Sequence, residues 1–322
     1  MVVAIRMDVA SAAIAMVERL FIRLFWSGIT LLVTAVMVFL LVNLVPGDVA
    51  RIVAGPKASP AVLKEIRAQY HLSDPLWLRL CYYLGHLSKG DLGKSYVTDQ
   101  PVAQAILQRL PVTAALAGTA VVMWMLMAVP VGVLSAKYKG GAFDRGVLVA
   151  ATLSLSLPAF WLARMLQYGL GFKLGWFPVA GFDGFISLLL PAATLAILFV
   201  GFYSRLIHTN MVDVLESPFV RNARAKGMSE SAVLFRHALP NALIPIVTVL
   251  GTDVAGLLGG VLFTENVFAL PGIGTLAVQS VFNLDVPMIM GTVLFSATMV
   301  VSANLVVDIL YRWLDPRIKT GF

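Results

Sequence analysis

Six stretches of roughly 20 apolar residues divide this chain, at about 24–45, 112–136, 146–172, 185–206, 242–263 and 287–311. A run of that length spans the hydrocarbon of a bilayer as a helix. Pro130, Pro158, Pro191 and Pro245 fall within them or near their ends. They predict kinks whose freed carbonyls must be satisfied inside a bundle. The first run follows Arg6, Arg19 and Arg23, is too long for the apolar part of a secretory signal, and lacks a small-residue cleavage site. It is expected to remain in place as the first span.

Polar positions set the orientation. Arg6, Arg19 and Arg23 precede the first run, and Lys137, Lys139 and Arg145 lie between the second and third. Arg205, Arg221, Arg224, Lys226 and Arg236 lie between the fourth and fifth, and Arg312, Arg317 and Lys319 close the chain. The opposite short loops, 173–184 and 264–286, carry Lys173 as their one basic residue. Basic residues stay on the cytoplasmic side, so both termini and the 206–241 loop are expected there. The loop 46–111 then lies outside, and 60–72 within it reads as a helix from the spacing of Leu63, Ile66, Arg67 and Tyr70. Pro111 is expected to start the second span.

Composition agrees with a membrane chain. Of 322 residues, 59% are hydrophobic and 13% charged, against roughly a quarter charged in soluble domains. Mean hydropathy is +0.87. The net charge of +7 sits in the loops between apolar runs, which fits a membrane surface better than nucleic acid. The lone cysteine, Cys81, excludes an internal disulfide framework and a cysteine-based metal site.

The sequence contains no G-x-x-x-x-G-K-[ST] phosphate loop, no H-E-x-x-H and no G-x-S-x-G. His71 and His86 are assigned outside, His208 and His237 inside, so four histidines do not converge. Catalysis has no support here. Arg164 and Asp253 interrupt apolar runs, where a charge costs on the order of 2.5–3.5 kcal/mol, so each must meet a cavity or a partner. Snorkelling of Arg164 and pairing of Asp253 inside the bundle are the structural readings. A substrate path for a charged or zwitterionic solute is the functional one. The two form either a linked pair or separate sites, with a depth mismatch of roughly 10 Å against the pair.

The polar island Arg221–Pro240 reads as a short helix and a turn. Ser217 stands at the cap, Pro218 in the first helical position, Ala223 and Ala225 leave little bulk, and Gly227 permits a turn. It reads as a rod across the membrane face, resting on anionic head groups or seated in a groove. Ala223 and Gly227, four apart, are expected to share the docking face.

Gly227, nine residues, then His237-x-Leu239-Pro240 resembles the EAA loop of ABC-importer permeases, with Asn222-Ala223 near the usual Ala-Ala, Arg221 for its glutamate and His237 for its isoleucine. The branch serving dipeptides, oligopeptides and nickel is resembled further by Asn43-x-x-Pro46-Gly47-Asp48, Gly90-Asp91-Leu92-Gly93-x-Ser95, Pro101-Val102 and Arg109-Leu110-Pro111-Val112-Thr113. The segments Ser156–Leu162, Gly175–Gly181, Glu265-Asn266-Val267-Phe268-x-x-Pro271-Gly272-Ile273-Gly274, Asn304–Tyr311 and Asp315-Pro316-Arg317 extend the likeness over almost the whole chain.

The resemblance implies an all-α membrane protein with six transmembrane helices, the type I ABC importer permease fold and a periplasmic loop domain between helices 1 and 2. Its parts would be 1–45 (N-terminus and first helix), 46–111 (periplasmic loop), 112–311 (five-helix core with coupling loop 207–241) and 312–322 (cytoplasmic tail). It implies a bacterial inner-membrane location. The implied partners are a second homologous permease, two ATPase subunits, a periplasmic substrate-binding protein and membrane lipid, with no nucleic acid. ATP and Mg would be bound by the ATPases, with no cofactor or metal in this chain. Alternating access would import peptides or a nickel complex, driven through a 216–231 helix. Phe219, Arg221, Ala223, Arg224, Ala225, Gly227, His237 and Pro240 would couple to the ATPase. Asp91, Glu265, Phe268, Pro271 and Gly272 would form a binding-protein dock or outer gate. A self-contained secondary transporter would instead need carboxylates such as Asp253 and Asp308 to couple ions, and a membrane-embedded enzyme lacks its constellation.

Overall fold

The computed structural model describes residues 2–44, 49–55 and 58–314. Pro46-Gly47-Asp48 and Asp315-Pro316-Arg317 therefore lie outside the described residues. In chain order the helices are α1 (Val2–Leu44), α2 (Val49–Ala54), α3 (Pro60–Gln69), α4 (Leu76–Leu87), α5 (Val102–Lys137), α6 (Ala142–Ser156) and α7 (Ala159–Leu166). They continue with α8 (Ile186–Leu215), α9 (Pro218–Ala225), α10 (Glu230–Ala232), α11 (Leu239–Leu258), α12 (Leu262–Val267), α13 (Ile273–Phe282) and α14 (Val286–Leu314). Short π-helical stretches follow α7, at Gln167–Lys173, and precede α11, at Val233–Ala238. Among the described residues every named element is helical, as the apolar runs predict.

Among the described residues five helices are long and apolar enough to cross a membrane, and the third predicted span differs from them. Instead of one kinked rod, α6 meets α7 and its π-helical continuation, Ala159–Lys173, at an angle of 100°. The cause is local. Pro158 clashes with helical backbone at the residue before it, and Leu157 accordingly sits extended at φ −79°, ψ 127°. Helix α5 departs from expectation the other way. It begins at Val102, and Pro111 lies inside it together with Pro130.

The contacts divide the chain into two compact units: 1–104 with 280–305, and 105–279 with 306–322. This grouping differs from a 46–111 loop set against a 112–311 core. In the first unit the reason is Asp285, buried before α14, which accepts hydrogen bonds from the Ser95 hydroxyl and the Tyr96 N–H. The same hydroxyl accepts from the N–H groups of Val97 and Thr98, so the segment after Gly93 folds around it. Val38 and Phe39 of α1 and Val286 and Met290 of α14 make a small core, with Leu80 and Tyr83 of α4 against it. Helix α3 is capped by Ser59, whose hydroxyl accepts from the Val62 N–H.

The second unit carries the main core. Helix α8 is its axis, with 56% of its most apolar stretch enclosed, the highest share among the spans. Leu116, Trp124, Leu188, Leu195, Tyr203, Ile207 and Ile246 fill that core. Gly132 and Gly201 let helices approach α8. A Cβ on Gly132 would meet Ile207 at 2.7 Å, and one on Gly201 would meet the Ala151 backbone at 3.0 Å.

Candidate functional site

Four arrangements in the second unit bring polar groups together. The first is the hairpin of α9, its turn and α10. Helix α9 is shorter than the expected 216–231 rod. Ser217 occupies the N-cap position, but its hydroxyl donates to the Val214 carbonyl and caps nothing, while Pro218 starts the helix as expected. The helix ends in a Schellman turn: the Met228 N–H bonds back to the Ala223 carbonyl at 3.4 Å and the Gly227 N–H to that of Arg224 at 2.9 Å. Gly227 takes φ +76°, a left-handed conformation that side chains oppose, and no atom lies within 4 Å of where its Cβ would stand.

That geometry corrects the expected docking face. Ala223 and Gly227 do not share one, because the helix has ended before Gly227. Ala223 is buried with Val220 against Val233, and Met228 packs beside them. The small residue is required by the chain's own hairpin. The outward face is Phe219, 45% exposed, with Arg221, Asn222, Arg224, Ala225 and Lys226. Arg224 clasps Glu230 across the turn, Nη2 to Oε1 at 2.8 Å and Nε to Oε2 at 3.2 Å. Among the described residues Arg221 and Lys226 have no ion-pair partner. His237 lies partly buried in the π-helical stretch with its Nε2 unpartnered, and Pro240 is exposed in the first turn of α11.

The second arrangement is the turn after α11. Glu265 is completely buried, and its Oε1 accepts from the Thr113 hydroxyl at 2.8 Å. Its Oε2 accepts from the Thr275 N–H at 3.0 Å, and the Thr113 hydroxyl in turn accepts from the Ile273 N–H at 2.9 Å. A Cβ on Gly272 would overlap this carboxylate. Burial pushes the Glu265 carboxyl above the usual range, against the opposite pull of these donors. Phe268 and Gly272 are buried as well, and Pro271 is exposed. Glu265, Phe268 and Gly272 thus build the turn from inside. In the first unit Asp91 is exposed and accepts from the Gly93 N–H at 2.8 Å, with His86 at 3.0 Å. The Gly93 bond chiefly holds its carboxyl below the usual range.

The third arrangement answers for the charges in the spans. Asp253 of α11 accepts from the Tyr203 hydroxyl of α8 at 2.7 Å. Arg164 of α7 is exposed and donates to Gln167 Oε1 at 2.9 Å. The buried Gln167 amide continues to the carbonyls of Val179, at 2.6 Å, and Val267, at 3.2 Å. Each charge has a partner of its own, and the linked Arg164–Asp253 pair does not form in this conformation. Tyr203 was not legible as a partner because it stands 50 residues from Asp253 on another helix, whereas Gln167, three residues after Arg164, could have been found from helical spacing.

The fourth was not foreseen at all. Ser135 of α5 donates to Asp144 Oδ1 at 2.6 Å and meets His208 Nδ1 at 3.0 Å, while the Gly140 N–H bonds Asp144 Oδ2 at 2.8 Å. Ser135 points its hydroxyl at the carboxylate, so the trio ties α5, α6 and α8 together and offers no free nucleophile. Among the described residues no cluster of His, Cys, Asp or Glu is arranged to hold a metal ion.

Apolar spans packed on a central helix, with a basic hairpin held from within, define a multi-pass membrane component. The family model for binding-protein-dependent transport system inner membrane components matches residues 128–320, and the model for the N-terminal part of such components matches 16–117. The chain belongs to that family: it is a non-catalytic, multi-pass inner-membrane permease subunit of an ABC importer, of the peptide group. A Brucella abortus permease named for a peptide transport system is 40% identical over 297 residues, covering 90% of this chain and 95% of that one. The glutathione transport system permease GsiC of Salmonella typhimurium is 39% identical over 290 residues, covering 90% and 95%. The inward-facing MetNI methionine ABC transporter shares the type I fold, at TM-score 0.54 and 16% identity, over 66% of this chain and 97% of that one.

Proposed function

We propose that this chain forms half of a translocation path for short peptides and is moved by ATPase subunits through the outward face of α9. A second homologous permease completes the path. Two ATPases, binding ATP and magnesium, drive alternating access, and a periplasmic binding protein delivers the cargo, with both termini of this chain in the cytoplasm. The names of the relatives favour a peptide over a nickel complex. Asp91 and Pro271, exposed on their turns, are the residues offered to the binding protein.

The observation that carries the coupling assignment is the division of α9 into two faces. Val220 and Ala223 lock it to Val233, so a push on Phe219, Arg221 or Ala225 is transmitted to α11 rather than absorbed. Arg221 and Lys226 suit an acidic rim around an apolar socket for Phe219. Ala225→Trp tests this. The variant chain should accumulate in the membrane at the wild-type level while the copurified ATPase and peptide uptake both fall at least about tenfold, as a lost hot-spot contact would produce. Ala223→Trp should instead lower accumulation, because overpacking the hairpin costs about 1–3 kcal/mol. Wild-type uptake and ATPase copurification by the Ala225→Trp chain would overturn the assignment.

A further inference from the structure

Asp253 sits in α11 with one carboxylate oxygen engaged and the other without a partner among the described residues. Its single bond comes from a neutral hydroxyl, so its charge is oriented and not neutralised. The donor is firmly placed. Tyr203 is completely buried, with the rings of Phe202 at 5.4 Å, Trp124 at 5.7 Å and Phe199 at 6.4 Å around it. Trp124 and Phe199 stack at 4.5 Å and stiffen that wall.

Asp253 is itself partly exposed. A carboxylate on a membrane-spanning helix does not face lipid without a large penalty, so its open side belongs to a cavity or a path. A tyrosine bond alone needs no ionisable acceptor, since a carbonyl or an amide serves as well.

We infer that the free oxygen of Asp253, aimed by Tyr203, receives the primary ammonium group of the passing substrate. This rests on the peptide-import reading. The chemistry selects ammonium from the other cations. A guanidinium grips a carboxylate best through both oxygens, and here one already accepts from Tyr203, which favours a compact donor. A metal ion needs several oxygen ligands, and no such cluster stands here among the described residues. An ammonium is a compact charge with donors that one oxygen satisfies. It is carried at the amino terminus of an unblocked peptide or on a lysine side chain.

The test uses the complete transporter in proteoliposomes with its binding protein saturated separately by each of three peptides. They are Ala-Ala-Ala, its N-acetylated form, and N-acetyl-Ala-Lys-Ala. Asp253→Asn should lower the import ratio of Ala-Ala-Ala to the N-acetylated form by about 10- to 100-fold, the range for a hydrogen bond to a charged group. Asp253→Glu should keep most of the preference, and Tyr203→Phe should lose part of it. A fall for N-acetyl-Ala-Lys-Ala as well assigns the site to ammonium of either source, and sparing of that peptide assigns it to the amino terminus. Assembly is followed by size-exclusion chromatography, and if Asp253→Asn does not assemble, the Tyr203→Phe ratio decides. An unchanged ratio, or equal loss of all three peptides, overturns the inference and leaves peptide import standing. Absence of import of any peptide by the wild type overturns both.

Discussion

At the scale of single residues, Glu265 shows how a side chain marked as an external contact serves the interior. Each group identified at its carboxylate is a donor: the Thr113 hydroxyl and the Thr275 N–H. Glutamine would turn its NH2 toward one of them. Glu265→Gln is therefore expected to destabilise the assembled complex by about 1–3 kcal/mol, read as a lower thermal midpoint in detergent. The pH response carries its own sign. Burial raises the folded value of this carboxyl. Its stabilising contribution is therefore full below the ordinary glutamate value of ~4.3 and lost as pH rises through the raised folded value. The wild-type midpoint should slope downward across that window, and in Glu265→Gln that slope should vanish. The glutamate was legible as part of a motif. Its partner was not, because Thr113 belongs to another motif 152 residues away and sequence spacing carries no contact.

Among elements, the sequence located α9 and its turn but not the direction in which they face. A short helix with Val220 and Ala223 three apart presents a stripe, and only the position of Val233 decides that the stripe points inward. The bend between α6 and α7 was legible in kind and misjudged in size. Proline at position 158 announces a break, but its angle depends on Leu157 adopting extended backbone rather than a strained helix. Pro158→Ala removes the clash and should let the two helices draw toward one rod. Spin labels on the exposed positions Val149 and Tyr168 should then move apart in the variant. An unaltered distance would assign the 100° bend to packing instead of to proline.

For the whole molecule, the family was legible from short motifs in order and the multi-pass membrane character from apolar run lengths, while the placement of lysine and arginine adds an expected orientation. Run length and charge placement answer to solvent and survive ignorance of packing. Side-chain pairs were not: Ser135, Asp144 and His208 meet at the junction of three helices, and nothing in their spacing announces it. The same charge asymmetry predicts that Cys81, exposed in α4, lies on the periplasmic side. A membrane-impermeant maleimide should label it once the outer membrane is permeabilised. A reporter active only in the cytoplasm, fused after Phe322, should be functional, and periplasmic activity there would reverse the topology.

The bond from Thr113 to Glu265 also places the turn in time. At ~5–20 residues per second, a ribosome takes roughly 8–30 s to add the acid after the threonine. Throughout that interval the Thr113 hydroxyl has neither the carboxylate it donates to nor the Ile273 N–H it accepts. Closure of the turn is thus a late event in biogenesis, one that a nascent chain halted before its fifth apolar run never reaches. Such a chain holds α5 without the tie from Thr113 to the turn that the complete one has.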